Sequence, residues 1–111
     1  MRFVILSRNA ALYSTSRLIR AAQARGHEAD VVDPLQLQIA TLPGVRGLAF
    51  EGHKLRRYDV VIPRVGVSIT SFGARIVQQF DDAGVVVLNS ASSIVSSRDK
   101  VRSLQILARR R

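Results

Sequence analysis

The sequence predicts an α/β fold with one mostly parallel sheet of about four strands, and three observations support this prediction. Short apolar runs, typical of strands buried on both faces, alternate with stretches whose apolar residues recur at helical spacing. Strands and helices that alternate in this way form parallel sheets with right-handed crossovers. The 111 residues suffice for one domain, 47% are hydrophobic and none is cysteine, so burial alone must hold the fold together.

The first third of the chain predicts a strand, a helix and a second strand. Residues 3–6 form an unbroken apolar run, which indicates a buried strand. Ser14 offers an N-cap for a helix that Gly26 can end, because glycine readily adopts the left-handed conformation. Glu28–Val32 is the second predicted strand, and Pro34 closes it because proline cannot donate to a ladder. The stripe of the helix consists of Leu18, Ala21, Ala22 and Arg25.

The middle of the chain shows a weaker pattern. Pro43 and Gly44 suit the two central positions of a type II turn. Residues 48–50 and 54–55 could pair around residues 51–53. We therefore expect a small hairpin insertion in this region.

The second half of the chain predicts two more strands and three more helices. Residues 60–62 and residues 85–88 are apolar runs that indicate buried strands, and Gly84 can end the amphipathic helix between them. Ser90 can cap a short helix through Val95, and another helix follows to the end of the chain. The apolar stripes are Phe72, Ile76, Val77 and Phe80 in the first of these helices and Val101, Leu104, Leu107 and Ala108 in the last.

The chain is strongly basic. Seventeen Lys and Arg against eight Asp and Glu give a net charge of +9, which attracts nucleic acid, nucleotide phosphates or acidic peptides. Residues 98–111 hold six basic residues and one acidic residue, so about half of the excess charge lies there. The longest apolar runs have four or five residues, so we expect no membrane segment and a cytoplasmic protein.

Ligands of parallel sheets bind at the carboxyl ends of the strands, which here are the loops at residues 7–10, 63–70 and 89–90. The first loop has no glycine, and no P-loop spacing occurs, so the chain is not expected to bind a nucleotide unaided. The loop at 63–70 combines a guanidinium, Arg64, with hydroxyl groups near a helix N-terminus, which suits an anionic ligand. The alternative is an ordinary connecting loop with Arg64 in a surface ion pair.

Lys100 stands at the beginning of the last predicted helix. A cation there opposes the helix dipole, so Lys100 could serve an external anion, whereas Asp99 suits the first turn. The alternative is a solvated first turn. His27 and His53 lack neighbouring ligands, so we expect no metal site, and no complete catalytic constellation is present.

Eight short stretches occur in a distinctive order and spacing along the chain. They are ILSR (5–8), LYS (12–14), RGH (25–27), DPL (33–35), VIPR (61–64), QF (79–80), RDK (98–100) and LAR (107–109). Together they closely resemble the amino-terminal domain of RimK-type glutamate ligases, and the likeness covers the whole chain in register. These are ATP-grasp enzymes that add glutamate to the carboxyl terminus of the sixth small-subunit ribosomal protein.

The resemblance implies a Rossmann-like pre-ATP-grasp domain over residues 1–111. It also implies an enzyme that uses ATP with magnesium or manganese to form an acyl phosphate, which the amine of glutamate then attacks. In this family the lysine of the RDK stretch, here Lys100, approaches nucleotide phosphates. The residues that would orient the carboxylate substrate are Arg64, Ser68 and Thr70, with Arg8 and Asn9 as weaker candidates.

Relatives continue into ATP-grasp lobes where this sequence stops, so we expect residues 1–111 alone to be inactive, as an excised domain or a truncated product. Self-association through Val101, Leu104 and Leu107 is expected if that face has lost its cover. Two alternatives stay open. One is a stand-alone basic module for RNA or another polyanion, although the six aromatic residues form no evident stacking platform. The other is the same domain of a ligase with a small-molecule acceptor.

Overall fold

A computed structural model describes residues 1–40 and 47–110 and confirms the α/β fold. The described residues form a parallel sheet, a smaller antiparallel sheet and flanking helices. The strands are β1 (Arg2–Leu6), β2 (Glu28–Val32), β3 (Leu37–Ala40), β4 (Gly47–Phe50), β5 (His53–Lys54), β6 (Val60–Pro63) and β7 (Val86–Val87). The helices are α1 (Tyr13–Ala24), α2 (Thr70–Asp82), α3 (Ala91–Arg98) and α4 (Lys100–Ala108). Two 3₁₀ turns lie at Pro34–Gln36 and Val67–Ile69.

The parallel sheet has the strand order β2-β1-β6-β7, so β1 and β6 are central. Val4 lies opposite Val61 in the ladder and packs with Ile76 of α2 in the main apolar cluster. Ile5 alternates to the other face of the sheet, where it is also fully buried. Burial on both faces explains why these strands read as continuous apolar runs.

Helix α1 begins earlier than the sequence predicted. Its N-cap is Leu12, not Ser14, and Ser14 lies inside the first turn with its hydroxyl accepting a hydrogen bond from Arg64. The helix ends as predicted, before Gly26 with a φ of 79°. Thr15 is the one fully buried residue of α1, so the predicted apolar stripe is only partly covered by the described residues.

The antiparallel sheet has the order β3-β4-β5 and confirms the predicted hairpin. Its turn has two residues, Glu51 and Gly52, with φ values of 51° and 78°, and His53 is therefore already paired with Phe50. Strand β3 was missed by the sequence reasoning, although its alternation puts Leu37 into the core. The predicted turn at residues 43–44 lies outside the described residues.

The second half of the chain follows the prediction with one correction. Helix α2 buries Ile76, Val77 and Phe80 and ends before Gly84, whose φ is 83°. Residues 85–88 are not a strand buried on both faces. Only two of them form β7, at the edge of the sheet, and Val86 is 57% exposed because β7 has a neighbour on one side alone.

Helices α3 and α4 meet at a tight junction. Ser90 caps α3 as predicted, accepting a hydrogen bond from the backbone N–H of Ser93, but the helix continues to Arg98 instead of ending at Val95. Asp99 is the N-cap of α4, one position before the first turn in which it was expected. Among the described residues, no helix is long and apolar enough to cross a membrane.

Candidate functional site

The carboxyl ends of β1 and β6 bring two loops side by side. The backbone N–H of Arg64 donates to the carbonyl of Leu6 at 2.8 Å, which continues the ladder into both loops. The backbone N–H of Ser7 donates to the carbonyl of Val32 at 3.1 Å on the other side. The loops that carry five of the six predicted site residues therefore begin at neighbouring points on one edge.

The loop after β1 is held by its own polar groups. Ser7 is 2% exposed, and its hydroxyl donates to the carbonyl of Asn9 and accepts from the hydroxyl of Thr15 at 3.3 Å. The side-chain oxygen of Asn9 accepts from the backbone N–H of Ala11 at 2.9 Å. Asn9 therefore shapes this loop, and no hydrogen bond from the part of the chain that the structure describes engages its amide NH₂ or the side chain of the exposed Arg8.

Arg64 forms no ion pair with a carboxylate of the described residues. One terminal nitrogen of its guanidinium donates to the hydroxyl of Ser14 at 3.1 Å, and the side chain is exposed. The ion pairs of the described residues involve other arginines, Arg2 and Arg56, so the surface-pair alternative for Arg64 finds no support there. No hydrogen bond within residues 1–40 and 47–110 engages the remaining N–H groups of Arg64, and a guanidinium of this kind can bind an anion.

Thr70 and Arg98 form a link that sequence reasoning missed. The guanidinium of Arg98 donates to the carbonyl of Val65 at 2.7 Å and to the hydroxyl of Thr70 at 3.3 Å. That hydroxyl in turn donates its proton to the carbonyl of Val67 at 2.9 Å. Thr70 thus has no proton left for a substrate carboxylate, whereas the exposed Ser68 has one.

Close side-chain packing also holds the loop after β6 in place. Val65 is 6% exposed and lies against Gly73 in the first turns of α2. A Cβ at Gly73 would overlap the methyl groups of Val65, so only glycine permits this approach. The loop therefore has one rigid contact with α2 and one polar contact with α3.

The sixth predicted site residue, Lys100, lies at the start of α4. It is the first residue of α4, it is exposed, and its side chain bonds to none of the residues in 1–40 and 47–110. Asp99 caps the helix through the backbone N–H of Arg102 at 2.9 Å. A free ammonium beside a helix N-terminus attracts anions such as phosphate.

Two further features, a groove and a histidine, lie outside the loops after β1 and β6. An open groove of about 690 Å³, lined by Lys54, Arg57 and Gly84 among others, runs along the opposite edge of the sheet. His27 stacks near Phe3, with 5.3 Å between ring centroids. No group of three or more metal-binding side chains occurs within the described part of the chain.

Comparisons with known proteins identify the family. The model of the RimK PreATP-grasp domain matches residues 1–94, so the chain belongs to this family. It is 46% identical over 110 residues to the probable alpha-L-glutamate ligase of Vibrio vulnificus (strain YJ016), covering 99% of this chain and 36% of that protein. It is 46% identical over 109 residues to the protein of the same name from Halorhodospira halophila, covering 98% and 36%. The chain thus spans about a third of the length of these curated relatives.

Solved structures confirm the fold. The RimK domain protein ATP-grasp from Sphaerobacter thermophilus matches with a TM-score of 0.64 at 23% identity, covering 85% of this chain and 32% of that one. The ATP-grasp ligase PsnB, complexed with precursor peptide PsnA2 and AMPPNP, matches with a TM-score of 0.64 at 18% identity, covering 96% and 42%. The chain is a pre-ATP-grasp domain of the RimK-like glutamate ligase family, and the roles of its site residues remain predictions.

Proposed function

We propose that residues 1–111 form the amino-terminal domain of an ATP-dependent ligase that adds glutamate to the carboxyl terminus of a ribosomal protein. Family membership and the names of the relatives support a glutamate ligase. The observation that carries the proposal is a pair of exposed cations that form no ion pair within the described residues, Arg64 in the loop after β6 and Lys100 at the start of α4. A cytoplasmic location follows from the proposed acceptor.

The proposed reaction has two steps. A carboxylate oxygen of the acceptor attacks the γ-phosphorus of ATP, which forms an acyl phosphate and releases ADP. The amine of glutamate then attacks the acyl carbon, the amide bond forms, and phosphate leaves with loss of a proton. One ATP is consumed for each glutamate added.

Each predicted side chain takes a role that its geometry allows. Lys100 contacts the phosphates, because it is a free cation beside a helix N-terminus. Arg64 and Ser68 bind the acceptor carboxylate, since both have N–H or O–H groups to donate. Arg8 and Asn9 extend this surface from the neighbouring loop, and Thr70 shapes the loop instead of touching the substrate.

A divalent metal is not assigned to this chain. Magnesium prefers several oxygen ligands from carboxylates and phosphates. The described residues offer no cluster of three side chains that could hold a metal ion. We propose that residues 1–111 alone do not turn over ATP, because they span only about a third of the length of the curated relatives.

The test uses a hybrid enzyme in which this chain replaces the matching third of the Vibrio vulnificus relative. ADP release and the mass of an acceptor peptide are measured with ATP, magnesium and glutamate. Lys100→Ala and Arg64→Ala should each lower kcat/KM about 10- to 100-fold, because each removes a charge-assisted contact of about 1.5 to 3 kcal/mol. Lys54→Ala and Arg20→Ala, which also remove exposed cations, should leave kcat/KM within twofold.

Three results would contradict parts of the proposal. Unchanged kinetics in both site variants would remove the site assignments. A hybrid that glutamylates a small molecule but no ribosomal protein peptide would replace the acceptor. ATP turnover by residues 1–111 alone would show that the chain is catalytic by itself.

A further inference from the structure

Arg98 connects two parts of the proposed site that are far apart in sequence. It is the last residue of α3, and its guanidinium reaches the carbonyl of Val65 at 2.7 Å and the hydroxyl of Thr70 at 3.3 Å. Val65 lies in the segment between β6 and α2, and Thr70 is the first residue of α2. A planar guanidinium can serve two acceptors at once, which a lysine ammonium on one flexible stem does less well.

The start of α4, next to Arg98 in the chain, is held by hydrogen bonds of its own. Asp99 caps α4 through the backbone N–H of Arg102, and the hydroxyl of Ser103 in α4 donates to the carbonyl of Ser96 in α3 at 2.7 Å. Lys100 therefore begins a helix that is fixed to α3 without Arg98. The loop after β6 has its packing contact with α2, but Arg98 gives it a direct polar link from the α3–α4 junction.

We propose that Arg98 is a positioning residue that ties the loop of residues 64–69 to the end of α3 and so holds Arg64 in place. Arg98 acts on the acceptor side of the site, since removing it releases the loop and leaves the cap of α4 intact. The inference rests on the proposed function for its catalytic consequence. Its structural consequence, an anchored loop, is independent of activity.

The structural consequence is tested by trypsin, which cleaves after Arg64 when the loop opens. Cleavage of an opened segment follows the population of the open state when closing is fast. Arg98→Ala should speed cleavage of the Arg64–Val65 bond about fivefold in the 111-residue chain, measured by mass spectrometry of the two products. Arg102→Ala is the matched control, because it also removes a tryptic site, and the one hydrogen bond that its guanidinium makes among the described residues goes to the side-chain oxygen of Gln105, at 3.4 Å.

The catalytic consequence is tested in the hybrid enzyme. Arg98→Ala should raise KM for the acceptor peptide about fivefold and leave KM for ATP within twofold, and Arg98→Lys should restore part of the loss. A general loss of structure would instead lower the far-ultraviolet circular dichroism signal and raise both KM values. Arg98→Lys helps to distinguish this loss of structure from the loss of the anchoring contact, because it keeps a long basic side chain at this position.

The outcomes are distinct. Unchanged cleavage after Arg64 overturns the proposal, and faster cleavage with an unchanged KM for the acceptor overturns the positioning role while the proposed function stands. An equal rise in both KM values also overturns it. An inactive unmodified hybrid counts against the proposed function, and the cleavage rates then still decide whether Arg98 anchors the loop.

Discussion

Gly73→Ala is the change whose effect the structure defines most clearly. Glycine inside a helix is ordinarily a weak point, and replacing it by alanine gains about 0.8 to 1.0 kcal/mol of helix propensity. At Gly73 a Cβ would fall within contact distance of both Val65 methyl groups, and Val65 is 6% exposed, so it has little room to move. Overpacking of this kind costs about 1 to 3 kcal/mol.

The two effects have opposite signs, and the overlap should win. We expect a net loss of about 0.5 to 2 kcal/mol in the free energy of unfolding, because the Val65 backbone is also tied to Arg98. Thermal denaturation followed by circular dichroism should show a decrease in Tm of about 2 to 8 °C. Urea denaturation gives the free energy directly.

Gly66→Ala is the matched control, because it makes the same chemical change in the same loop. Nothing lies within 4 Å of a Cβ at Gly66, and its φ of −70° suits alanine, so stability should be unchanged or slightly higher. Adding Val65→Ala to Gly73→Ala should remove the overlap, which gives a favourable coupling energy in a double-mutant cycle. If Gly73→Ala is as stable as Gly66→Ala, the close approach does not constrain the loop.

Other predictions concern single hydrogen bonds and one surface. Tyr58→Phe removes the 2.7 Å bond to Asp30 and should cost about 1.5 to 3 kcal/mol in urea denaturation at neutral pH. Burial and the hydrogen bond to Asp30 raise the pKa of Tyr58 above its ordinary value. The stabilisation that depends on this proton is therefore complete below about pH 10 and is lost at higher pH. Tyr58→Phe should flatten the alkaline decline in the free energy of unfolding, and an unchanged pH profile would contradict this. Asp99→Ala should cost about 1 kcal/mol by removing the cap of α4, whereas Asp99→Asn should retain most of it. Leu104, 67% exposed, should promote self-association, so Leu104→Lys should lower the mass measured by light scattering at high concentration, and a monomer in both proteins refutes the expected contact.

The parts of the fold that could be predicted from sequence are those fixed by local periodicity. Strand β2 was predicted with its observed bounds, and α2 was predicted from a stripe that the structure buries. Gly26 and Gly84 were predicted to end helices and have positive φ values, because this conformation is costly for other residues.

The errors arose where tertiary contacts override local pattern. Ser14 has the chemistry of a cap, but its hydroxyl is engaged by Arg64, fifty residues away in the chain, and Leu12 takes the cap position. Residues 85–88 look like a buried strand because every one is apolar, yet strand β7 lies at an edge. Apolar composition alone cannot distinguish a central strand from an edge strand.

The site shows the same division between local and distant information. Arg64 and Lys100 could be proposed from sequence, because a cation at the end of a strand or the start of a helix is unusual enough to suggest a ligand. Arg98 carries no such signal, since a basic residue in the last turn of a helix is favourable by itself and needs no further explanation. Its contact with Val65 bridges 33 residues and requires that α3 pack against α2. The residues proposed to bind a ligand are thus visible in the sequence, whereas the residue proposed to align them depends on how the helices pack.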